Sequence, residues 1–352
     1  MWNWLKNKIS SHPFFIRLFN WEYWPMPVLM FPVLFIWIGF SIRARSGVFF
    51  SAANPSIDMG GFAGESKMDI LSKFPAQVVP ETHRISAGTP LVEILPTLAN
   101  SGLSFPIIAK PDKGERGFKV EKIKGEADLN AYIEECPTDF LLQEFIDLPT
   151  ELGILYYRFP GAEKGKVTSL TLKKFLTVTG DGKSSVEELI KSYPRAKLQY
   201  KVLKASRPQL MSRIPKDGEI VELVPIGNHA RGATFLDRTD LVDTELEDRF
   251  DQLFQKLDGI YFGRLDIKCH SLESLKSGGP FYILEFNGVK AEPTHIYQPG
   301  FSLLKAYKVL YAQWKVIYKI SVANHRRGIP YDPFIPTLKK LQAHQRYKKS
   351  IA

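Results

Sequence analysis

The sequence predicts a fold of mixed α-helices and β-strands behind an apolar N-terminal segment, and three observations support it. Short strand-forming runs alternate with helical segments between residues 67 and 322. Two of these runs, residues 263–268 and 283–288, each contain one acidic side chain in an apolar background. An uncharged stretch at residues 24–42 precedes all of them.

Composition sets the outer limits of this prediction. A chain of 352 residues, 44% of them apolar, can bury a large core and form two or three domains. Its two cysteines, Cys136 and Cys269, lack the spacing of a zinc site and indicate no disulfide framework. A reducing compartment fits this cysteine usage.

The net charge of +10 is concentrated at the two ends of the chain. Residues 301–352 contain eleven Lys or Arg and one acid, and residues 1–50 contain five Lys or Arg and one acid. The part of the chain between them is therefore slightly acidic. This distribution argues against a nucleic-acid groove across the central domain and favours termini that face anionic lipid or another acidic surface.

The first fifty residues predict membrane association. The nineteen residues 24–42 are long enough to span the hydrocarbon core, with Trp and Tyr before them and Arg43 and Arg45 after them. Three prolines in the first half remove backbone donors, so a kinked span and a monotopic hairpin stay open beside a straight span. A signal peptide cleaved near residue 53 is the weaker alternative, because the apolar run is too long.

Two loops have the composition of anion-binding segments. Residues 54–66 contain Asn-Pro and Gly-Gly before a predicted helix at 67–74, and they form either a connector or an anion pocket. The second loop follows a predicted strand at residues 105–110. It contains the run Lys110-Pro111-Asp112-Lys113-Gly114-Glu115-Arg116-Gly117. Its glycines let backbone amides approach a phosphate while its cations supply charge, so we predict a phosphate cover; a basic surface hairpin is the alternative.

Two acids follow a predicted helix at 127–136 and an apolar strand at 140–143. Glu144 ends the strand and Glu151 lies seven residues later. Acids in this position can accept hydrogen bonds from an adenine amino group or from ribose hydroxyls, or they can simply be surface charges.

The second half of the chain offers basic and polar side chains. Lys173 and Lys174 lie in a predicted strand at 170–175, ahead of a turn and a helix at 186–191. Residues 226–233 then form a polar loop before a helix at 245–257, and the planar fork of Arg231 in this loop suits a carboxylate or an acyl phosphate. A basic aromatic helix at 303–322 is either a docking helix or an interfacial one.

The two acidic strands contain either a metal site or, as is common for isolated acids in strands, solvated or capping side chains. Glu285 and Asn287 are two residues apart and therefore project from the same face of a strand. With Asp266 from the other run they provide two carboxylates and an amide oxygen, which are the hard ligands that hold Mg²⁺ beside nucleotide phosphates.

In this order, the motifs of residues 67–299 resemble those of the ATP-grasp superfamily of carboxylate–amine ligases, especially D-alanine–D-alanine ligases. Residues 173–183 are locally similar to cyanophycin synthetases. The resemblance implies two cofactors, ATP and Mg²⁺, with Mn²⁺ as an alternative metal. It assigns the metal to Asp266, Glu285 and Asn287. It assigns ATP to Lys67, Lys110, Gly114, Glu115, Arg116, Gly117, Glu144, Glu151, Lys173 and Lys174.

The same resemblance implies a fold and a division of the chain. The fold is α+β, with two α+β subdomains that clasp one ATP, preceded by the membrane-associated helix or hairpin. The expected parts are a membrane segment at 1–50, a reduced N-terminal region at 51–104, the ATP-grasp domain at 105–300 and a basic aromatic tail at 301–352.

The implied reaction is transfer of a phosphoryl group to a carboxylate, followed by attack of an amine or thiol on the acyl phosphate. Lys110 and Arg231 are the expected catalytic residues. The chain departs from D-alanine–D-alanine ligases because few residues precede Lys67 and because residues 289–295 differ from their substrate loop. The substrate pair therefore stays open, and its candidate contacts are Asn228, His229, Glu292 and His295.

We expect small-molecule or lipid-linked carboxylate and amine substrates, a membrane partner and no nucleic acid. ATP availability places the catalytic domain in the cytoplasm, and the oligomeric state is not predicted. Two alternatives remain open, a nucleotide-binding membrane adaptor without activity and an ATP-grasp kinase that stops at phosphoryl transfer.

Overall fold

The computed structural model describes residues 12–115 and 117–351. Within them the chain forms two compact units. The larger unit contains residues 33–172, 237–295 and 307–351, and the smaller unit contains residues 12–32, 173–236 and 296–306. The predicted phosphate-cover residue Arg116 lies outside the described residues.

Eleven strands are present in the described residues. In chain order they are β1 Thr82–Ile85, β2 Ile107–Pro111, β3 Glu121–Ile123, β4 Phe140–Glu144, β5 Thr150–Tyr157, β6 Lys166–Lys174, β7 Leu176–Thr179, β8 Ile220–Val224, β9 Thr234–Asp237, β10 Phe262–Cys269 and β11 Phe281–Asn287.

Thirteen α-helices accompany these strands in the described part of the chain. They are α1 Pro13–Phe19, α2 Met26–Ala44, α3 Lys67–Leu71, α4 Leu91–Ser101, α5 Glu126–Glu135, α6 Val186–Ser192, α7 Pro194–Lys197, α8 Tyr200–Ser206, α9 Pro208–Met211, α10 Thr244–Phe254, α11 Leu272–Lys276, α12 Leu303–Arg326 and α13 Phe334–Ile351.

The larger unit contains a four-stranded antiparallel sheet in the order β1, β4, β2, β3. Its central strand β4 is buried at every position before Glu144, as expected for an apolar run with neighbours on both sides. Helices α4 and α5 add Ile94, Leu98 and Leu129 to the hydrophobic cluster that covers this sheet. These strands therefore give Lys110, at the end of β2, a rigid support.

A second antiparallel sheet of the larger unit runs in the order β11, β10, β5, β6. One face of it packs against α10, whose Leu246, Phe250, Leu253 and Phe254 recur at helical spacing and are buried. Strand β10 is central and is buried nearly throughout. Its position explains why β10 reads as an apolar run with few polar interruptions, whereas β11 lies at the edge of the sheet and is only partly buried.

A third hydrophobic cluster of the larger unit joins α2 to α12. Phe40 of α2 stacks on Tyr318 of α12 with ring centroids 5.0 Å apart, and Phe49 and Phe50 are fully enclosed beside them. In the described residues α2 alone is long and apolar enough to cross a membrane. Pro32 lies inside this helix without ending it, so the stretch is a helix in this structure and not a hairpin.

The smaller unit is built on the antiparallel pair β7 and β8 with the helices α6 to α9. The turn before α6 has the predicted capping chemistry. The Ser185 hydroxyl oxygen accepts a hydrogen bond from the Glu188 backbone amide, and the Glu188 carboxylate accepts one from the Ser185 backbone amide. In the same unit, Glu22 pairs with Arg195 at 2.6 Å, with both side chains buried.

The helices predicted from the sequence are all present with shifted ends. The predicted helix at 67–74 ends at Leu71, and those at 127–136, 186–191 and 245–257 correspond to α5, α6 and α10. The predicted C-terminal helix continues to Arg326. Helices α1, α4, α7, α8, α9, α11 and α13 had no counterpart in the sequence prediction, although Leu91, Ile94, Leu95 and Leu98 of α4 do recur at helical spacing.

Candidate active site

The register of β10 and β11 brings the predicted metal ligands together. Asp266 lies directly opposite Glu285, and Arg264 lies opposite Asn287. Residues that face each other across an antiparallel pair project from the same side of the sheet, as do residues two apart on one strand. Asp266, Glu285 and Asn287 therefore share one face, as the strand alternation predicted.

A β-bulge lies beside these residues. Asp266 pairs with Glu285 but Ile267 pairs with Ile283, so Leu284 has no opposite residue on β10. Its carbonyl oxygen accepts a hydrogen bond from the Lys110 ammonium at 2.9 Å. Bulges commonly re-aim groups near active sites. Here the bulge ties the predicted phosphate lysine to the residue before Glu285.

Lys110 is held in a fully buried position. Its ammonium also donates to Gln143 Oε1 at 2.8 Å, so β2, β4 and β11 all contribute to its placement. Burial lowers the pKa of Lys110 to about 8, with Glu285 opposing and Lys67 reinforcing this shift. The lysine therefore keeps its positive charge at neutral pH close to the acidic strands.

Lys67 holds the base of the glycine-containing loop. Its ammonium donates to three backbone carbonyls, those of Pro111 at 3.0 Å, Asp112 at 3.3 Å and Gly114 at 2.8 Å. Burial lowers its pKa and the charge of Glu285 opposes that shift. An ammonium has three N–H donors, and these three carbonyls match that number. In this state Lys67 therefore acts on the site through its charge and by shaping the loop.

A third lysine, Lys290, completes the cationic group around Glu285. Its ammonium pairs with Glu65 at 2.7 Å and lies 3.6 Å from Glu115. Burial alone would lower the pKa of Lys290, but Glu65, Glu115 and Glu285 raise it overall. The sequence analysis missed Lys290, although its place three residues after Asn287 was an available signal.

The glycine-rich loop at 54–66 lies against the end of β11. The backbone amide of Val289 donates to Gly60 O at 3.1 Å, and that of Lys290 donates to Gly61 O at 3.3 Å. A Cβ on Gly61 would lie 2.8 Å from Gly288 Cα. The loop is therefore more than a connector, because it supports the residues that follow β11.

The predicted phosphate cover is bound by the C-terminal helix α13. Glu115 accepts from Lys348 Nζ at 3.0 Å and lies 3.3 Å from His344 Nε2, both on α13. Burial would raise the pKa of Glu115, but Lys290, Lys348 and His344 hold it at about 2. Gly117 has φ +69°, which favours glycine there, whereas Gly114 has an ordinary backbone conformation.

Arg264 is a further residue that the sequence analysis missed. Its guanidinium binds both carboxylate oxygens of Asp266, with Nε to Oδ1 at 3.0 Å and Nη2 to Oδ2 at 3.1 Å. Its Nη1 also donates to Glu292 O at 3.1 Å. Burial would lower the pKa of Arg264, but Asp266 raises it overall. The residue thus orients Asp266 and anchors the segment after β11.

The two predicted nucleotide acids have different surroundings. Glu144 is exposed at the end of β4 and its Oε2 accepts from the Glu81 amide at 3.4 Å. Glu151 is buried on β5 opposite Lys268 of β10. The five residues between these strands connect the two sheets of the larger unit. Of the two acids, which are seven residues apart in the sequence, only Glu144 is exposed.

Two predicted substrate residues of the larger unit are anchored in its interior. His295 Nδ1 lies 2.6 Å from Ser169 Oγ, and burial lowers its pKa. Glu292 contributes its backbone oxygen to Arg264. His295 is therefore neutral and held in place, which suits a positioning role better than a cationic contact.

The remaining predicted residues belong to the smaller unit. Asn228 Oδ1 accepts from the Ala230 amide and caps the short 3₁₀ helix His229–Arg231. His229 stacks on Tyr23, and burial together with Arg195 lowers its pKa to about 3.

Lys173 is buried with its ammonium 5.9 Å from the Phe235 ring centroid, whereas Lys174 is exposed. Arg231 ends the 3₁₀ helix and is half-buried.

Comparisons with known proteins give structural matches only. No protein-family profile and no curated protein matches the sequence. A D-alanine–D-alanine ligase from Bacillus anthracis matches 75% of this chain and 68% of its own, with 12% identity and a TM-score of 0.41. The VanG D-Ala:D-Ser ligase from Enterococcus faecalis matches 76% of this chain and 62% of its own, with 14% identity and a TM-score of 0.36.

A bifunctional glutathione synthetase from Pasteurella multocida matches 69% of this chain, with 14% identity and a TM-score of 0.35. The match spans only 34% of the length of that synthetase. All three proteins are ligases or synthetases by name, which agrees with the class that the sequence resembles. Because the TM-scores are below 0.5, these matches do not establish a function, and the side chains of the site carry that weight instead.

Proposed function

We propose that this protein is an ATP-dependent carboxylate–amine or carboxylate–thiol ligase that works through an acyl phosphate. The observation that carries this proposal is the placement of Lys110. Its ammonium donates to the bulged carbonyl of Leu284, next to Glu285, which in turn lies opposite Asp266. A buried cation beside paired carboxylates is the arrangement that phosphoryl transfer from a nucleotide needs.

Asp266, Glu285 and Asn287 are the residues that would hold Mg²⁺ or Mn²⁺. Two facing carboxylates and an amide oxygen fit a magnesium ion whose other ligands are phosphates and water. Among the described residues, Asn287 Nδ2 is buried without a hydrogen-bond partner, and a phosphate oxygen would supply one. The metal would neutralise charge on the nucleotide as the phosphoryl group moves.

The lysines and the loop would hold the phosphates. Lys110 offers a charge of stable orientation, and Lys67 shapes the backbone from Pro111 to Gly114, where the amides of Lys113 and Gly114 would face a phosphate. The loop closed over them would exclude water from the acyl phosphate. On the resemblance alone, Arg116 and Gly117 also belong to the phosphate cover, and Glu144, Glu151, Lys173 and Lys174 belong to the rest of the nucleotide site.

The proposed reaction has two steps. A substrate carboxylate oxygen attacks the γ-phosphorus and releases ADP, which forms the acyl phosphate. An amine or thiol then attacks the acyl carbon and releases phosphate, and we assign stabilisation of that tetrahedral intermediate to Arg231. Asn228, His229, Glu292 and His295 are the proposed substrate contacts, with His229 and His295 acting in their neutral form.

The acceptor is proposed to be membrane-proximal and small or lipid-linked, with the catalytic part in the cytoplasm where ATP is available. The apolar helix α2 and the basic residues of the C-terminal region support this part of the proposal.

The test is the variant Glu285→Gln, which keeps the side-chain shape and removes a charge. We expect turnover to fall by at least about a hundredfold while folding is retained, because the phosphoryl transfer loses part of its charge compensation. ADP release in the presence of candidate carboxylates is measured for both proteins. Normal ADP release by the variant would remove Glu285 from the metal site.

Trapping with hydroxylamine separates the proposal from its rivals. An acyl phosphate gives a hydroxamate, whereas a kinase that stops at phosphoryl transfer to another group accumulates a stable phosphorylated product. A nucleotide-binding adaptor gives neither product and shows no substrate-dependent ADP.

A further inference from the structure

Helix α2 is apolar on all sides, yet its two faces have different surroundings. Leu29, Val33 and Phe40 are buried at helical spacing. The opposite face has side chains between 39% and 72% exposed, and these are Val28, Phe31, Leu34, Phe35, Ile38 and Ile42. A helix that is apolar all round belongs in a core or in lipid. One face of α2 has its core, whereas the other leaves apolar surface exposed to solvent.

The buried face of α2 packs on the larger unit, which argues against a free transmembrane span. Phe40 contacts Tyr311 and Tyr318 of α12, and Ile36, Trp37 and Ala44 border the same hydrophobic cluster. To cross a bilayer in this packing, α2 would carry α12 into the hydrocarbon. The lysines of α12 oppose that, because charged side chains are costly there.

Exposed basic residues lie close to α2. Leu304, Lys308, Tyr311 and Lys315 recur at spacings of four, three and four and form one exposed stripe of α12, which Tyr311 places next to Phe40. Neither α2 nor α12 contains an acidic residue. Arg43 and Arg45 at the end of α2 are also exposed.

We propose that α2 lies in the plane of an anionic phospholipid bilayer surface, with its exposed face submerged and the lysines of α12 at the headgroups. Interfacial helices bury an apolar face to a depth of about 5–10 Å, and adjacent basic residues attract anionic lipid. A second copy of the chain is a poorer occupant of this face, because a symmetric contact would bring the lysine stripes together. The inference refines the membrane-proximal part of the proposed function and is independent of its chemistry.

The first test measures binding of the full chain to phosphatidylcholine vesicles with and without phosphatidylglycerol, by co-flotation. The triple variant Phe31→Ser, Phe35→Ser, Ile38→Ser should bind the anionic vesicles at least about tenfold more weakly, since each side chain loses apolar burial in lipid. The matched control removes three exposed apolar side chains elsewhere, with Val92→Ser, Val202→Ser and Ile220→Ser. The control should bind like the unmodified protein.

The second test distinguishes an in-plane helix from a spanning one. Val28→Cys, Phe35→Cys and Ile42→Cys each receive a fluorescent label, while the native Cys136 and Cys269 are buried. Quenching by brominated lipids reports the depth of each label. In-plane binding predicts the same shallow depth at all three positions. A spanning helix would instead place residues 28 and 42 about 21 Å apart along the bilayer normal.

Three results would overturn the inference. The first is equal vesicle binding by the triple variant and its control. The second is a label depth that changes steadily from residue 28 to residue 42. The third is a dimer of the unmodified protein in analytical sedimentation that becomes a monomer in the triple variant. ADP formation by the same samples is recorded in parallel. Absence of vesicle binding by the unmodified protein with normal ADP formation refutes only the membrane surface, whereas absent ADP formation with normal vesicle binding refutes only the ligase.

Discussion

At the scale of single residues, the candidate metal site holds two carboxylates directly opposite each other on neighbouring strands. Like charges in this position repel, so the fold must compensate them when no cation is bound. Arg264 binds both oxygens of Asp266, and the ammonium of Lys110 lies near Glu285. These cations compensate the two carboxylates and hold Asp266 in place.

Replacing Arg264 with Ala should therefore destabilise the larger unit. Removal of one partner from a buried ion pair leaves an uncompensated charge, and we expect the free energy of unfolding to fall by about 3 kcal/mol in urea titrations. The control is Lys164→Ala, which breaks the exposed pair with Asp248 and should leave the stability nearly unchanged. Equal effects of both variants would show that Asp266 does not depend on Arg264.

At the scale of elements, two loops are held against the site by close backbone contact and by ion pairs. The loop at 54–66 approaches Gly288 through two glycines, and the phosphate cover at 113–120 is tied to α13 through Glu115. The composition of each loop indicated anion binding. Gly288 and α13 lie more than a hundred residues from these loops in the chain, so the sequence alone could not identify these two contacts.

Gly61→Ala tests the first contact. Gly61 has φ +81° and its new Cβ would lie 2.8 Å from Gly288 Cα, so strain and overlap both act. Gly88 is the matched control, because it has φ +78° with open space around it. We expect Gly61→Ala to lower the free energy of unfolding by at least about 1 kcal/mol more than Gly88→Ala. Equal losses would mean that the loop can move away from Gly288 at no cost.

The second contact predicts how α13 restrains the phosphate cover. The double variant His344→Ala, Lys348→Ala removes two partners of Glu115 and should increase amide hydrogen exchange at residues 113–120 several-fold. The exposed neighbour Lys349 serves as the control and should leave the exchange rate of the cover unchanged when replaced by Ala. Unchanged exchange in the double variant would show that the cover closes without α13.

At the scale of the whole molecule, burial of titratable groups makes the fold sensitive to acid. In the smaller unit, the pKa of His229 is about 3, whereas an unfolded histidine titrates near 6.5. Between these values the unfolded chain binds the extra proton and the folded chain does not. Stability from this residue is therefore present above about pH 6.5 and is lost progressively as the pH falls toward 3.

His229→Phe should remove part of this acid sensitivity, because a neutral ring keeps the stacking on Tyr23 without a proton site. We expect the loss in urea midpoint between pH 7 and pH 5 to be clearly smaller in the variant than in the unmodified protein. The control His325→Phe changes an exposed histidine and should retain the original pH dependence. An identical loss in all three proteins would assign the acid sensitivity elsewhere.

The sequence by itself determined the local features of this protein. Alternation along one strand placed Glu285 and Asn287 on a common face, and local pattern and capping residues located the helices α5, α6 and α10. These features depend on spacings of two to four residues, which the sequence contains directly. The resemblance to ligases added roles for these residues but no contacts.

Only the tertiary structure decided which distant residues meet. The register of β10 against β11 set Asp266 opposite Glu285, and a bulge at Leu284 gave Lys110 its acceptor. Packing on α12 also divided the uniformly apolar α2 into a buried face and an exposed one. Such pairings join residues far apart in the chain, so they depend on the packing of the whole fold and leave no local pattern to read.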